Sequence, residues 1–165
     1  MNSRSATTVL ALFDEACDLA KQGCWVDVTA FETGDVGYEP AEALMRYMGQ
    51  DLPQDKLTIS SDGGGCLPCF DQHGHMTKMD FASSSSMTDV FYQLLDEGVT
   101  MEACLPFFTS NVADLMNFKK KGRLTLGCDA DLLILDPKMR IKHVMAQGQW
   151  HVFDQQIIKK GSFEE

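Results

Sequence analysis

The chain has 165 residues and a mass of 18.3 kDa, with 44% hydrophobic and 23% charged residues, which suits one globular domain, or one and a small part of a second. Fourteen Lys+Arg against 24 Asp+Glu give a formal net charge of −10 and a pI of about 4.7, an acidic balance that repels phosphate backbones and argues against a nucleic-acid partner. No run of about 18 apolar residues exists to span a membrane, and Met1 to Ser5 is polar with no apolar stretch of a secretory signal, so a cytoplasmic location is expected.

The first element expected is a helix on Val9, Leu12, Phe13, Ala16, Leu19 and Ala20, capped at Thr7 or Thr8 and closed before Gly23. Cys24 to Ala30 holds Trp25, Val26, Val28 and Thr29 and reads as a strand. A loop from Phe31 to Tyr38 follows. Glu39-Pro40 opens a second helix with Ala41, Leu44, Met45 and Met48 on its apolar side. Leu57 to Ser61 is a short strand. Helix, strand, helix, strand is the order of parallel βα units. Two parallel strands do not make a stable sheet by themselves, because such a sheet buries both faces, so residues 1 to about 62 read as part of something larger.

After Ser61 the pattern changes. Cys66 to Ser86 is expected as an irregular loop ending in four serines. Met87, Val90, Phe91, Leu94 and Leu95 mark an amphipathic helix stopped by Gly98. Thr100 caps another, which Pro106 is expected to break. Thr109 or Ser110 caps a short helix with Val112, Leu115 and Met116, closed by Lys119, Lys120, Lys121 and Gly122. The tail is β: Leu132 to Leu135, then a hairpin of Ile141 to Ala146 and Trp150 to Phe153 across Gln147-Gly148, then Ile157-Ile158.

The strongest chemical signal is Ser60-Ser61-Asp62-Gly63-Gly64-Gly65. It sets a carboxylate at the C-terminal end of a parallel strand, the catalytic face in barrels. The glycines let the backbone turn sharply and a ligand come close. Such a carboxylate binds a metal or takes a proton from water; a turn or capping Asp is the competing reading. His73-Gly74-His75 has the form of a metal pair, but with no strand to aim both rings it reads as exposed loop. His143 and His151 read as surface residues. Of the six cysteines, Cys17 falls on a helical apolar face. Cys66 and Cys69 form the single C-x-x-C, read as reduced thiols in a tight loop. Lys119 to Lys121 read as a solvated helix end.

Two segments carry a family resemblance. Thr58-Ile59-Ser60-Ser61-Asp62-Gly63-Gly64-Gly65-Cys66-Leu67-Pro68 closely resembles the last-strand motif of isoaspartyl dipeptidases, the beta-aspartyl peptidases of the metal-dependent amidohydrolase superfamily. Lys121-Gly122-Arg123 through Gly127-Cys128-Asp129-Ala130-Asp131 and on to Asp136 resembles the superfamily's C-terminal signature. Phe70-Asp71, Gly74 and the closing Lys160-Gly161-Ser162-Phe163-Glu164 are also like the dipeptidases. The resemblance covers essentially the whole chain, but only the C-terminal portion of such an enzyme.

The resemblance implies an α/β fold: the C-terminal part of a (β/α)8 barrel, with Cys24–Ala30 as strand seven and Leu57–Ser61 as strand eight. It places that barrel part in residues 1–122 and the C-terminal share of a small β-sandwich in residues 123–165. A whole barrel takes roughly 250 residues, more than this chain supplies. It further implies zinc-dependent hydrolysis of beta-aspartyl dipeptides by a metal-activated water, with two zinc ions in the complete enzyme. Asp62 matches the one metal ligand found here and doubles as the catalytic residue that moves the proton. Arg4 would grip the substrate carboxylate. The family His before it falls on Met1, and the other ligands have no counterpart. Cys66 stands where relatives carry a substrate-touching Ser, and a thiol is a weaker partner. A homo-oligomer is expected of the complete enzyme, and the chain alone is expected to be incomplete and inactive. The alternative from another class is a non-catalytic remnant or interaction protein. A small metal or redox site on Cys66, Cys69, His73 and His75 explains neither the glycines nor the tail.

Overall fold

The structure, a computed structural model, describes residues 3–30, 37–71 and 73–161, with side chains from Leu12 onward. The chain divides into two compact units, Met1–Leu115 and Met116–Glu165.

The first unit begins with α1 (Ser3–Lys21), which starts several residues ahead of the expected Thr7 or Thr8 cap. Phe13, Cys17 and Ala20 turn one face of it to the core. β1 (Val26–Thr29) follows, then α2 (Pro40–Met48), with Pro40 in the first turn, where its missing N–H costs nothing. Tyr47 of α2 is fully buried, and its hydroxyl donates to Pro53 O at 3.0 Å, satisfying its one polar atom in the core. A single 3-10 turn, Gln54–Lys56, leads into β2 (Leu57–Ser60).

β1 and β2 pair in parallel, Val26 opposite Leu57 and Thr29 opposite Ser60. Side chains alternate across a strand, so this register sorts them by face. Val26, Val28, Leu57 and Ile59 line the apolar face, packed with Leu44, Leu94 and Phe107. Asp27, Thr29, Thr58 and Ser60 line the other. The strands are therefore not apolar on both faces, as a buried parallel sheet would be.

The stretch expected as an irregular loop is instead a hairpin, β3 (Cys66–Phe70) antiparallel to β4 (Met76–Phe81). Asp71 builds its turn: Asp71 Oδ1 accepts from the backbone N–H groups of His73 and His75, at 2.8 and 3.0 Å. Pro68 hid the strand in the sequence. It is tolerated because each strand of this two-stranded ribbon keeps an edge that needs no ladder bond.

α3 (Ser86–Asp96), α4 (Met101–Phe108) and α5 (Ser110–Leu115) complete the unit. Pro106 does not break α4 where expected. The helix runs two residues past it and ends at Thr109, whose hydroxyl donates to Leu105 O at 2.7 Å. Asn111 of α5 is buried and ties the helix to β2. Its side-chain amide donates to Gln54 O and Leu57 O, both at 2.8 Å.

The second unit is a four-stranded antiparallel sheet in sequence order: β5 (Leu132–Leu135), β6 (Ile141–Ala146), β7 (Gln149–Phe153) and β8 (Gln156–Ile157). Gln147 and Gly148 close the expected hairpin with φ of 50° and 75°, the pattern of a two-residue turn that matches strand twist. Two readings are corrected here. Lys119 to Lys121 do not end a helix, because α5 stops at Leu115 and Lys121 pairs with Asp129 and Asp131 at 2.9 and 2.6 Å. His143 is not a plain surface residue either. It is half-buried against Trp150 and Phe153, and its Nδ1 accepts from the Asp154 N–H at 3.0 Å; His151 is half-buried too.

Candidate active site

The polar face of the β1–β2 pair ends at Asp62. Asp27 lies midway along β1, directly opposite Thr58. Both of its carboxylate oxygens are engaged: Thr58 Oγ1 donates to Oδ1 and Ser60 Oγ to Oδ2, each at 2.6 Å. Ser60 Oγ also lies 3.2 Å from Asp62 Oδ1. The Ala30 N–H donates to Ser60 O at 2.7 Å, so the backbone under this serine is fixed by the neighbouring strand. Asp27, Ser60 and Asp62 thus form a continuous line of polar contacts from the middle of the strand pair to its C-terminal end.

Asp62 itself is exposed and adopts φ of 47°, a left-handed conformation that Asp tolerates better than most residues. The turn after it explains the glycines. Gly65 N–H donates to Asp62 O at 2.7 Å, and Gly64 occupies the third turn position at φ 83°, which favours glycine. A Cβ on Gly65 would sit 2.7 Å from that same Asp62 carbonyl oxygen, closer than real Cβ contacts come. The turn is tied to the start of the hairpin and the end of β4: Gly64 N–H donates to Ala82 O and Ala82 N–H to Gly65 O, both at 2.9 Å. The sequence therefore aims one carboxylate outward from a braced backbone.

The other expected site residues fall as follows. Cys66 opens β3 directly after the turn and is exposed, opposite Phe81. Arg4 lies in the backbone of α1, and its side chain is outside the described residues, as is Met1. His73 and His75 are exposed at the hairpin tip, with ring centroids 6.4 Å apart. Cys66 and Cys69 are free thiols on a strand rather than in a loop. Asp27 and Ser60, which the sequence reading did not single out, stand on the face that leads to Asp62. Their signal was the alternation of Asp27 and Thr29 with Thr58 and Ser60, which puts four polar residues on one face of a strand pair.

Among the described residues, no three His, Cys, Asp or Glu side chains stand together to hold an ion. A zinc site takes three or four protein ligands, of which Asp62 alone would supply one. Among the described residues, no helix is long and apolar enough to cross a membrane.

In comparison with known proteins, the Amidohydrolase family matches residues 7–151, most of the chain. The chain belongs to the amidohydrolase family. Two solved structures of a beta-aspartyl dipeptidase from the thermophilic, keratin-degrading Fervidobacterium islandicum AW-1 resemble it. One, in complex with the beta-Asp-Leu dipeptide, matches at 29% identity with a TM-score of 0.84, over 96% of this chain and 41% of that one. The other matches at 28% identity with a TM-score of 0.75, over 93% of this chain and 38% of that one. This amidohydrolase chain thus spans about two-fifths of the length of these relatives.

Proposed function

We propose that this amidohydrolase chain is the C-terminal portion of a zinc-dependent isoaspartyl dipeptidase that hydrolyses beta-aspartyl dipeptides. The observation that carries the reading is Asp62, exposed at the C-terminal end of β2, on a turn that Gly64 and Gly65 shape. In a barrel, the strand end that presents such a carboxylate is the catalytic face. β1 and β2 are read as barrel strands seven and eight, residues 1–122 as the barrel part and residues 123–165 as its share of a β-sandwich.

Asp62 is the catalytic carboxylate of this reading. It accepts the proton of the attacking water and delivers it to the leaving amine, so one group serves as base and then as acid. Arg4 is the proposed partner of the substrate carboxylate, a role suited to a forked guanidinium. Cys66 is the proposed neighbour of bound substrate. Zinc enters through the family resemblance, with Asp62 as its one matched ligand, and the remaining ligands are assigned to the rest of the complete enzyme. We further propose that the chain alone is inactive, that the complete enzyme is a homo-oligomer, and that it works in the cytoplasm. Six free cysteines suit that reducing compartment.

The test is to recover the native polypeptide that carries this sequence, using an antibody raised against it, and to assay it with beta-Asp-Leu. The reading expects a polypeptide longer than 165 residues that hydrolyses the dipeptide. An 18.3 kDa product with no hydrolysis would favour the non-catalytic alternative, a remnant kept for packing against a partner.

A further inference from the structure

We propose that His143 is a pH-sensitive latch on the turn between β7 and β8. The neutral ring holds the turn against β6, and the protonated ring releases it. The inference goes beyond the dipeptidase reading and does not depend on it.

This turn needs holding. Phe153 pairs with Gln156, so Asp154 and Gln155 form a two-residue turn, and both take positive φ, 49° and 65°. That is the pattern of a type I′ turn, which favours Asn or Asp followed by Gly. Asp154 suits its place. Gln155 stands where glycine is favoured and carries a full side chain in left-handed backbone. The turn is therefore strained, and contacts from outside it keep it closed. Two come from β6: Gln155 N–H donates to Lys142 O at 2.8 Å, and Asp154 N–H donates to His143 Nδ1 at 3.0 Å.

The second of these bonds depends on the protonation state of the ring. A backbone N–H only donates, so Nδ1 carries no proton and the ring proton sits on Nε2. The imidazolium carries a proton on both nitrogens. A proton taken from solvent at Nδ1 thus sets two donors against each other. Turning the ring over does not restore the bond, because a carbon then takes the place of the nitrogen. The ring itself is boxed in. It is half-buried, with the Phe153 and Trp150 ring centroids 4.6 and 5.6 Å away and Ile134 opposite it on β5. The strained turn is the side that yields. β8 goes with it, being two residues long and paired to β7 alone.

Other charges stand near the ring. Lys142 and Asp154 flank it and pair with each other at 3.4 Å, and the turn between β5 and β6 holds the Arg140–Asp136 pair at 2.9 Å. β5 itself brings only apolar residues, Leu132 to Leu135. β7 adds His151, which holds β8 through its backbone carbonyl, accepting from Ile158 N–H at 2.9 Å. Histidine is the side chain that changes charge between about pH 5 and 8, and at His143 that change falls on the atom that holds the turn.

The experiment uses the native polypeptide that carries this sequence. Hydrogen exchange is read by mass spectrometry on the peptide covering residues 149–158, at about pH 7.5 and about pH 5.5, with rates normalised to the unstructured peptide at each pH. Wild-type protection is expected to fall roughly fivefold at the lower pH, the effect of one net hydrogen bond. His143→Asn sets a non-titrating oxygen near the place of Nδ1 and is expected to keep its protection at both. His143→Phe keeps the aromatic packing, removes the acceptor, and is expected to show low protection at both. Equal wild-type protection at the two pH values would overturn the proposal. A fall that persists in His143→Asn would also overturn it, because the response would then belong to another group such as His151. Full protection in His143→Phe at about pH 7.5 would do the same.

Discussion

Asp27 and Ser60 meet across two parallel strands, the serine hydroxyl donating to the carboxylate at 2.6 Å, and Asp62 lies two residues beyond the serine, past the end of its strand. That contact exists because the β1–β2 register puts Asp27 opposite Thr58, one same-face step short of Ser60. A shift of one residue would turn the serine to the apolar side and Ile59 to the polar one. The site therefore depends on strand register, and the register on burial of Val26, Val28, Leu57 and Ile59.

Asn111 guards that register. It holds Gln54 O and Leu57 O from inside the core, at the start of β2. Asn111→Ala removes the donor of the buried bond to Leu57 O, while Gln54 O keeps the Leu57 N–H, and the expected loss is about 1–3 kcal/mol. Urea unfolding measures it. A change in midpoint too small to resolve would mean that water replaces the amide.

Gly65→Ala tests the turn. The added Cβ falls 2.7 Å from the Asp62 carbonyl oxygen, which is backbone and has little room to yield. A destabilisation of about 1–3 kcal/mol is expected. Any dipeptide hydrolysis should fall further than stability does, because the displaced atom belongs to Asp62 itself. Thermal unfolding and hydrolysis measured on one preparation separate the two effects.

The thiols should sort by burial. Cys24, Cys66 and Cys69 are exposed, whereas Cys17 and Cys104 are buried. Desolvation pushes both buried thiols above their ordinary pKa, and the nearby Asp14 and Glu102 charges add to this at Cys17 and Cys104 respectively, while a hydrogen bond from Gln50 partly offsets it at Cys17. Brief iodoacetamide treatment at neutral pH should label the exposed three and spare the buried two, because the thiolate is the nucleophile. Mass spectrometry of the digest reads this directly.

Acid should weaken the second unit through Asp131 and Asp136. The Lys121 ammonium holds Asp131 below the usual carboxylate range, helped by the Gln147 N–H; the Arg140 backbone N–H does the same for Asp136, aided by the Arg140 side chain and the Lys138 N–H. A carboxyl with a lowered folded-state pKa adds stability that is present above its unfolded pKa, near 3.9, and lost as pH falls through the folded value. The carboxylate contribution should therefore be flat above about pH 5 and decline below about pH 4. Asp131→Asn should remove part of that decline. Lys121, raised by its hydrogen bonds to Asp131 and Asp129, has the opposite sign: its contribution is lost only as pH rises past the lysine range.

The alternation that builds the polar face is written plainly in Asp27, Thr29, Thr58 and Ser60, yet it reads as ordinary strand composition until the register is known. Parallel pairing joins residues about thirty positions apart, and spacing within either strand says nothing about it. The turn glycines and Asp62 were legible because local backbone geometry restricts which residues fit. The β3–β4 hairpin was not, because Pro68 argues against a strand and the Asp71 turn is built from backbone hydrogen bonds that composition does not display. Lys121 was misread for a related reason. Its partners Asp129 and Asp131 follow at a distance typical of loops, and only the fold brings them round it.

The most direct test of the central claim is beta-Asp-Leu hydrolysis by the native polypeptide carrying this sequence, with Asp62 intact and as Asp62→Asn. Loss of the proton-transfer group should lower kcat by at least about 10²-fold. Hydrolysis that survives in Asp62→Asn, or a wild-type polypeptide with no hydrolysis at all, would contradict the account.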